Sequence, residues 1–419
     1  MDQAVLKLIT LAIFLICYSL VISRRIKIAY VSIGSAIILL LIGVLNFQQV
    51  FVAINWDVLG IYWGFMMVAI IFAQSGIPAY LAKHILLKTK NEGGALFLLC
   101  ALTAILSSFL ENVGVVLIMA PIAIEIAKRA KSSLFIYLIS IAISANMVTT
   151  VTMIADPPSL ILASETGMNF LDFFWFKGKI GLGVISILSV IGGLATLYFL
   201  NFKKMKKEIE IKEEKIKINY GPLLLLIGGI IFLALNQFMG LRLWTIGLAM
   251  GIISLFLGRK ILRKMIIEFD WNSFFFIFGI FIVIAAVEKV GILSSFANAI
   301  IKSGISNPIL TLAVVTWLSV ALSSFIDNVP FTVLMIPVCS HLANSIGLES
   351  AFPLLYGMLI GTGIGGNITP VGATANVFAC GILEKQGYKI KLREYAKISI
   401  PTTIVSVLIA HLLLQFFWL

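Results

Sequence analysis

SSFLENVGVVLIMAP (residues 107–121) and SSFIDNVPFTVLMIP (residues 323–337) are two copies of one phrase. At an offset of 216 they share seven of fifteen positions, and Glu111 against Asp327 keeps a carboxylate at an eighth. Each copy interrupts an apolar run of about thirty residues, too long for one membrane crossing and too short for two. A re-entrant hairpin fits that length: it turns at its polar residues and leaves by the side it entered, with protein or water around the tip. The duplication therefore predicts two hairpin tips facing a shared site.

Composition agrees with a membrane setting. The chain has 419 residues, 60% hydrophobic and 12% charged, with a mean hydropathy of +1.09; this excludes an ordinary soluble protein. The formal net charge of +12 follows topology rather than nucleic-acid binding, because no basic groove or aromatic-interleaved basic face is present. About ten spans can be drawn, and they place 25 of the 31 Lys and Arg residues on one side, the exceptions being Lys7, Lys177, Lys179, Arg242, Lys289 and Lys302. By the positive-inside rule that side is cytoplasmic and both termini are extracytoplasmic. Cys17, Cys100, Cys339 and Cys380 lack paired spacing and are expected to be small core residues.

The expected fold is an all-α polytopic membrane protein: about ten spans plus two re-entrant hairpins, in two inverted repeats with broken helices at the midplane. Trp56, Gly64, Gly76 and Ile77 match Trp271, Gly279, Gly291 and Ile292 at an offset of 215, which extends the repeat beyond the hairpins. Residues 1–26 form an N-terminal span outside the repeat. Residues 27–201 form the first unit, with its hairpin at about 93–127 and a broken span at about 133–168. Residues 202–241 form a cytoplasmic linker and an extra span. Residues 242–419 form the second unit, with its hairpin at about 306–345 and a broken span at about 351–383. Inverted repeats with paired broken helices place a binding site at their interface.

The candidate binding residues follow from that placement. A carboxylate inside a membrane-embedded segment needs a cavity, a partner or a cation, which singles out Glu111, Asp327 and Asp156. Asn112 and Asn328 both donate and accept hydrogen bonds, and Ser108 and Ser324 stand beside the tips. Capping of the half-helices is the plain alternative for the acids and amides, and back-bonding for the serines. On the first broken span, Asn146, Thr150 and Thr152 precede Asp156 and two prolines that remove backbone donors. On the second, Asn367, Thr369, Thr374 and Asn376 lie in the stretch GTGIGGNITPVGATANV. Carbonyls freed at such breaks coordinate cations, and half-helix N-termini favour anions. A bound Na+ would draw on Asn112, Asp156, Asp327, Asn328, Gly366 and Thr369. Asp57, Asp270 and Glu288 fall at span ends and are left out as water-accessible. No metal-ligand cluster and no nucleophile with a base appears, so neither an enzyme nor a resident cofactor is expected.

The tip phrases, with TMIADPPSLILAS and GNITPVGATANVFACGILEKQGY, resemble the ion transporter superfamily, in particular the arsenite permease, NhaD-type sodium/proton antiporter and P-protein group, and more distantly citrate and dicarboxylate carriers. The resemblance covers nearly the whole chain from the second span onward. It implies re-entrant hairpins, elevator-like alternating access, and tip positions for Glu111, Asn112, Asp327 and Asn328. A homodimer is compatible with it. The tips hold acids, unlike the Ser-Asn-Thr tips of the dicarboxylate branch and the Asn-Asp-Gly tips of arsenite pumps. The expected function is a secondary active transporter that moves a small inorganic ion coupled to Na+ or H+. An arsenite or antimonite efflux permease and a Na+-coupled carboxylate carrier are the alternatives. A channel is disfavoured because the polar residues concentrate at one depth instead of forming a file.

Overall fold

The computed structural model of the protein describes residues 3–23, 25–87, 89, 91–208, 216–292 and 307–419. Lys302 and the middle of the linker, both named above, lie outside the described residues. In chain order the helices are α1 (Gln3–Ser23), α2 (Ile28–Leu41), α3 (Phe47–Ala53), α4 (Trp56–Ala73), α5 (Ile77–Leu86), α6 (Glu92–Ser107), α7 (Asn112–Arg129), α8 (Leu134–Asn146), α9 (Pro157–Thr166) and α10 (Leu182–Leu197). They continue with α11 (Gly221–Met239), α12 (Leu243–Leu257), α13 (Leu262–Glu268), α14 (Trp271–Lys289), α15 (Pro308–Ser323), α16 (Asn328–Ser345), α17 (Phe352–Gly365), α18 (Thr374–Lys385) and α19 (Leu392–Trp418). Six described helices are long and apolar enough to cross a bilayer, and others, such as Leu134–Asn146 and Pro308–Ser323, are apolar but shorter. Large apolar side chains such as Phe238 and Phe416 stand fully out on the surface, as lipid contact permits.

Both hairpins form where the duplicated phrase placed them. The chain turns between α6 and α7 at residues 108–111, and between α15 and α16 at residues 324–327. Glu111 and Asp327 are the N-caps of the returning helices, whose interior prolines, Pro121 and Pro337, are also repeat mates. Both predicted broken spans are broken. Helix α8 ends at Asn146 and α9 starts at Pro157, whose fixed φ suits a first helical turn. Helix α17 passes into a tight turn at Gly366–Ile368 before α18 begins at Thr374. One span is shorter than its sequence suggested. The apolar run of residues 27–46 is helical only to Leu41, because Gly43 takes φ +82° and Val44 N–H bonds back to the Leu39 carbonyl. A positive φ of this kind ends a helix.

The two halves are interwoven. Helix α4 of the first half packs along α12 of the second, and α14 of the second packs along α2 of the first. Small residues allow the close approach: a Cβ on Gly64 would meet the Gly247 backbone, with Cα at 2.8 Å, and one on Gly279 would meet Ser32. This is the small-residue packing by which membrane helices associate. Helix α1 lies on α2 and α14, and α11 lies on α12 and α4. Helices α10 and α19 cross where the mates Ser189 and Ser406 meet, the Ser189 hydroxyl donating to the Ser406 carbonyl at 2.8 Å.

Candidate functional site

The tips are built twice with the same bonds. The Ser107 hydroxyl donates to Asn112 Oδ1 at 2.6 Å, and the Ser323 hydroxyl to Asn328 Oδ1 at 2.7 Å. The carbonyls of Ser108 and Ser324, left without intrahelical donors at the ends of α6 and α15, accept from the hydroxyls of Thr152 and Thr369. Each broken span thus holds the hairpin tip of its own half. The breaks are braced in parallel as well. The Ser159 hydroxyl donates to the Thr149 carbonyl at 2.6 Å, and the side chain of its mate, Asn376, donates to the Gly366 carbonyl at 3.1 Å.

A second set of bonds joins the halves. Asn146 Nδ2 donates to the Gly363 carbonyl at 3.1 Å and to Asn367 Oδ1 at 3.2 Å, while Asn367 Nδ2 donates to the Ile143 carbonyl at 3.2 Å. Tip and break also cross over: α7 packs on α18 and α16 on α9. Four half-helix N-termini consequently face one cavity of about 50 Å³.

Of the predicted residues, Glu111, Asn112, Asn146, Asp156, Asp327, Asn328 and Thr374 line this cavity together. The others hold the frame instead. Ser108 and Ser324 bond back to the carbonyls of Ala104 and Ala321. Thr150 pairs with Ser186 on α10 at 2.7 Å, and Asn376 also donates to Asn367 Oδ1 at 3.3 Å. Within the imagined Na+ set, the Thr369 hydroxyl and the Gly366 carbonyl are engaged in these braces, whereas Asn112, Asp156, Asp327 and Asn328 converge. Among the described residues no group of three or more His, Cys, Asp and Glu is close enough to hold a metal ion.

The cavity also takes residues that the sequence reading set aside. Asp270 lines it beside Tyr62 and Ser273, and Asp270 interacts electrostatically with Glu111. Asp270 caps α14, accepting the Ser273 N–H at 3.0 Å and the Ser273 hydroxyl at 2.5 Å. Its place at the end of a span was legible. That a hairpin tip comes to meet it there was not. The available signal was the repeat itself: Asn55, the mate of Asp270, caps α4 through the Val58 N–H at 3.2 Å, so an amide suffices for the cap and an acid exceeds it. No Lys, Arg or His lines the cavity among the described residues. Carboxylates that share one chamber repel one another, by an amount that falls with their separation. The chamber can therefore accept cations or protons.

A family profile described as citrate transporter matches residues 18–361. The chain belongs to the citrate transporter family. Among its relatives, the 46 kDa membrane protein of Mycobacterium leprae is 26% identical over 427 residues, covering 98% of both chains. An uncharacterized transporter of Mycobacterium tuberculosis is 25% identical over 430 residues, covering 98% of this chain and 99% of its own. Human P protein is 27% identical over 440 residues, which span 84% of this chain but 52% of P protein. The solved structure of the YdaH transporter of Alcanivorax borkumensis superposes with a TM-score of 0.56 at 13% identity, covering 86% of this chain and 84% of that one. The fold is thus that of an inverted-repeat membrane transporter, and this member of the citrate transporter family is a multi-pass transporter.

Proposed function

We propose that the protein is a secondary active transporter that moves a small ion coupled to Na+ or H+, by alternating access between the two hairpin tips. The observation that carries this reading is the shared cavity lined by Glu111, Asp156, Asp327 and Asp270 without a basic side chain among the described residues. Carboxylates held away from bulk water are where a transporter binds its coupling ion. The asymmetry of the chamber supports alternating access. Tyr62, Asp270 and Ser273 line it, while their repeat mates Ile277, Asn55 and Val58 do not. An inverted repeat held in one of two states related by its pseudo-twofold axis has this appearance, with the chamber facing one end of the α4/α14 wall. The family's description as citrate transporter favours a carboxylate as the second reading for the solute.

The test is transport in proteoliposomes. Purified protein should give saturable flux of a probe ion that depends on an imposed Na+ or pH gradient, and citrate and arsenite are to be run as separate probes. Flux that is linear and unsaturable, or indifferent to both gradients, would refute coupled transport.

A further inference from the structure

The elbows that lead into α4 and α14 are repeat mates, and their polar residues differ in kind. At an offset of 215, α3 (Phe47–Ala53) corresponds to α13 (Leu262–Glu268) residue for residue. Each short helix is tied to the long one after it by the same bond: Trp56 Nε1 donates to the Phe51 carbonyl at 3.3 Å, and Trp271 Nε1 to the Ile266 carbonyl at 2.8 Å. Each also leaves the same three apolar positions exposed, Phe47, Phe51 and Val52 in one and Leu262, Ile266 and Ile267 in the other. Repeats of inverted topology carry mates to opposite sides of the bilayer, so each elbow offers these side chains to the lipid of its own leaflet.

The charges do not follow the repeat. Arg259, Lys260, Arg263 and Lys264 stand where the first half has Val44, Leu45, Gln48 and Gln49. All four are exposed. Among the described residues Lys264 pairs with Glu268 at 3.6 Å, and no carboxylate pairs with the other three. The Arg259 guanidinium lies 5.8 Å from the Phe256 ring centroid. The elbow bends by 78° from α12, so where α12 crosses the bilayer these cations lie close to the plane of its surface. The bias of Lys and Arg along the chain marks that surface as cytoplasmic, and anionic lipids there attract basic segments beside a span. An elbow folds on its apolar frame alone, as α3 shows; the cations of α13 serve something else.

A short path leads inward from the elbow. Buried Phe269 joins α13 to Asp270, and its ring packs on Tyr62 with centroids 6.1 Å apart. Asp270 and Tyr62 both line the chamber.

We propose that the α12–α13 elbow is a binding surface for anionic phospholipid. Arg259, Lys260, Arg263 and Lys264 hold the headgroup phosphates, and Leu262, Ile266 and Ile267 lie among the acyl chains. Long basic side chains suit this place, because their stems rest on apolar surface while the charge reaches headgroup level. The occupied elbow steadies the turn that carries Asp270, which makes the chamber's response to cations depend on the lipid. The surface stands apart from the transporter reading above; this second effect rests on it.

The test uses purified full-length protein in vesicles of phosphatidylcholine alone or mixed with phosphatidylglycerol. After detergent extraction, native mass spectrometry counts the phosphatidylglycerol that stays bound, which should fall as salt screens the exposed cations. Each cation replaced by glutamine should weaken retention about fivefold, the equivalent of roughly 1 kcal/mol per basic residue at an anionic surface. The quadruple variant Arg259→Gln, Lys260→Gln, Arg263→Gln, Lys264→Gln should lose nearly all of it. Lys385→Gln, Lys389→Gln, Lys391→Gln, Arg393→Gln removes as many exposed cations from the same side and should keep most of it. In vesicle flux, phosphatidylglycerol should shift the half-saturating Na+ or proton concentration of wild type by about twofold or more and leave that of the elbow variant in place. Wild-type protein that retains phosphatidylglycerol no better than phosphatidylcholine would overturn the surface, and so would equal losses in the two quadruple variants. Displacement of the lipid by inorganic phosphate or glycerol phosphate at matched concentration would overturn lipid as the occupant. Retention at the elbow with a half-saturating concentration indifferent to lipid would overturn the link to Asp270. Retention with no coupled flux in any vesicle would leave the surface standing and overturn the transporter reading.

Discussion

Replacing Thr369 by valine tests whether the broken spans hold the hairpin tips. Valine keeps the shape of the side chain and removes the hydroxyl that donates to the Ser324 carbonyl at 2.5 Å. That carbonyl belongs to the last turn of a half-helix ending inside the membrane, where water is scarce, and Thr369 is itself buried. A buried acceptor left unpaired costs about 1–3 kcal/mol. Side-chain hydrogen bonds between membrane helices measure at the low end, about 0.6 kcal/mol on average and up to about 1.7. The expected loss is therefore about 1–2 kcal/mol, or roughly 1–2 °C in Tm for a chain of this length. Thr152→Val should do the same at the other hairpin, because its hydroxyl meets the Ser108 carbonyl in the equivalent way. The assay is thermal unfolding of both single variants and the double variant in one detergent. Hydrogen exchange at residues 108–111 and 324–327 should show each tip loosened only by its own substitution. Two single variants within 0.5 °C of wild type, or a loosened tip in the wrong half, would refute the idea that the threonines are latches.

Further substitutions address the frame and the chamber. Gly64→Ala should destabilise by about 1–3 kcal/mol, since its Cβ would press on the Gly247 backbone and overpacking has that cost. Gly34→Ala, with open space around it, should instead gain up to about 1 kcal/mol of helix propensity; thermal unfolding separates the two. Asp270→Asn should leave stability within about 0.5 kcal/mol, because an amide caps at Asn55, yet should raise the half-saturating Na+ or proton concentration by about fivefold or more in vesicle flux. Asp327→Asn should abolish or uncouple transport while expression and elution profile stay as in wild type.

The hairpins and breaks were legible because prolines, glycines and acids inside apolar runs leave few backbone solutions in a bilayer. The division of labour among polar residues was not. Thr150, Thr152 and Thr369 look alike in sequence whether they face a cavity or a neighbouring carbonyl, and only the fold directs them to Ser186, Ser108 and Ser324. Asp270 was hidden for a related reason: its neighbour Glu111 lies far away in the chain, and nothing local marks the approach of a hairpin tip.

The crossed pairing of α2 with α14 and of α4 with α12 bears on how the chain is made. When the first half leaves the ribosome, the face around Gly64 has no backbone to rest on, and it stays open to lipid until the second half is inserted. Neither half is a finished product. Two separately translated pieces cut in the linker should accordingly assemble when synthesised together and be degraded when synthesised alone.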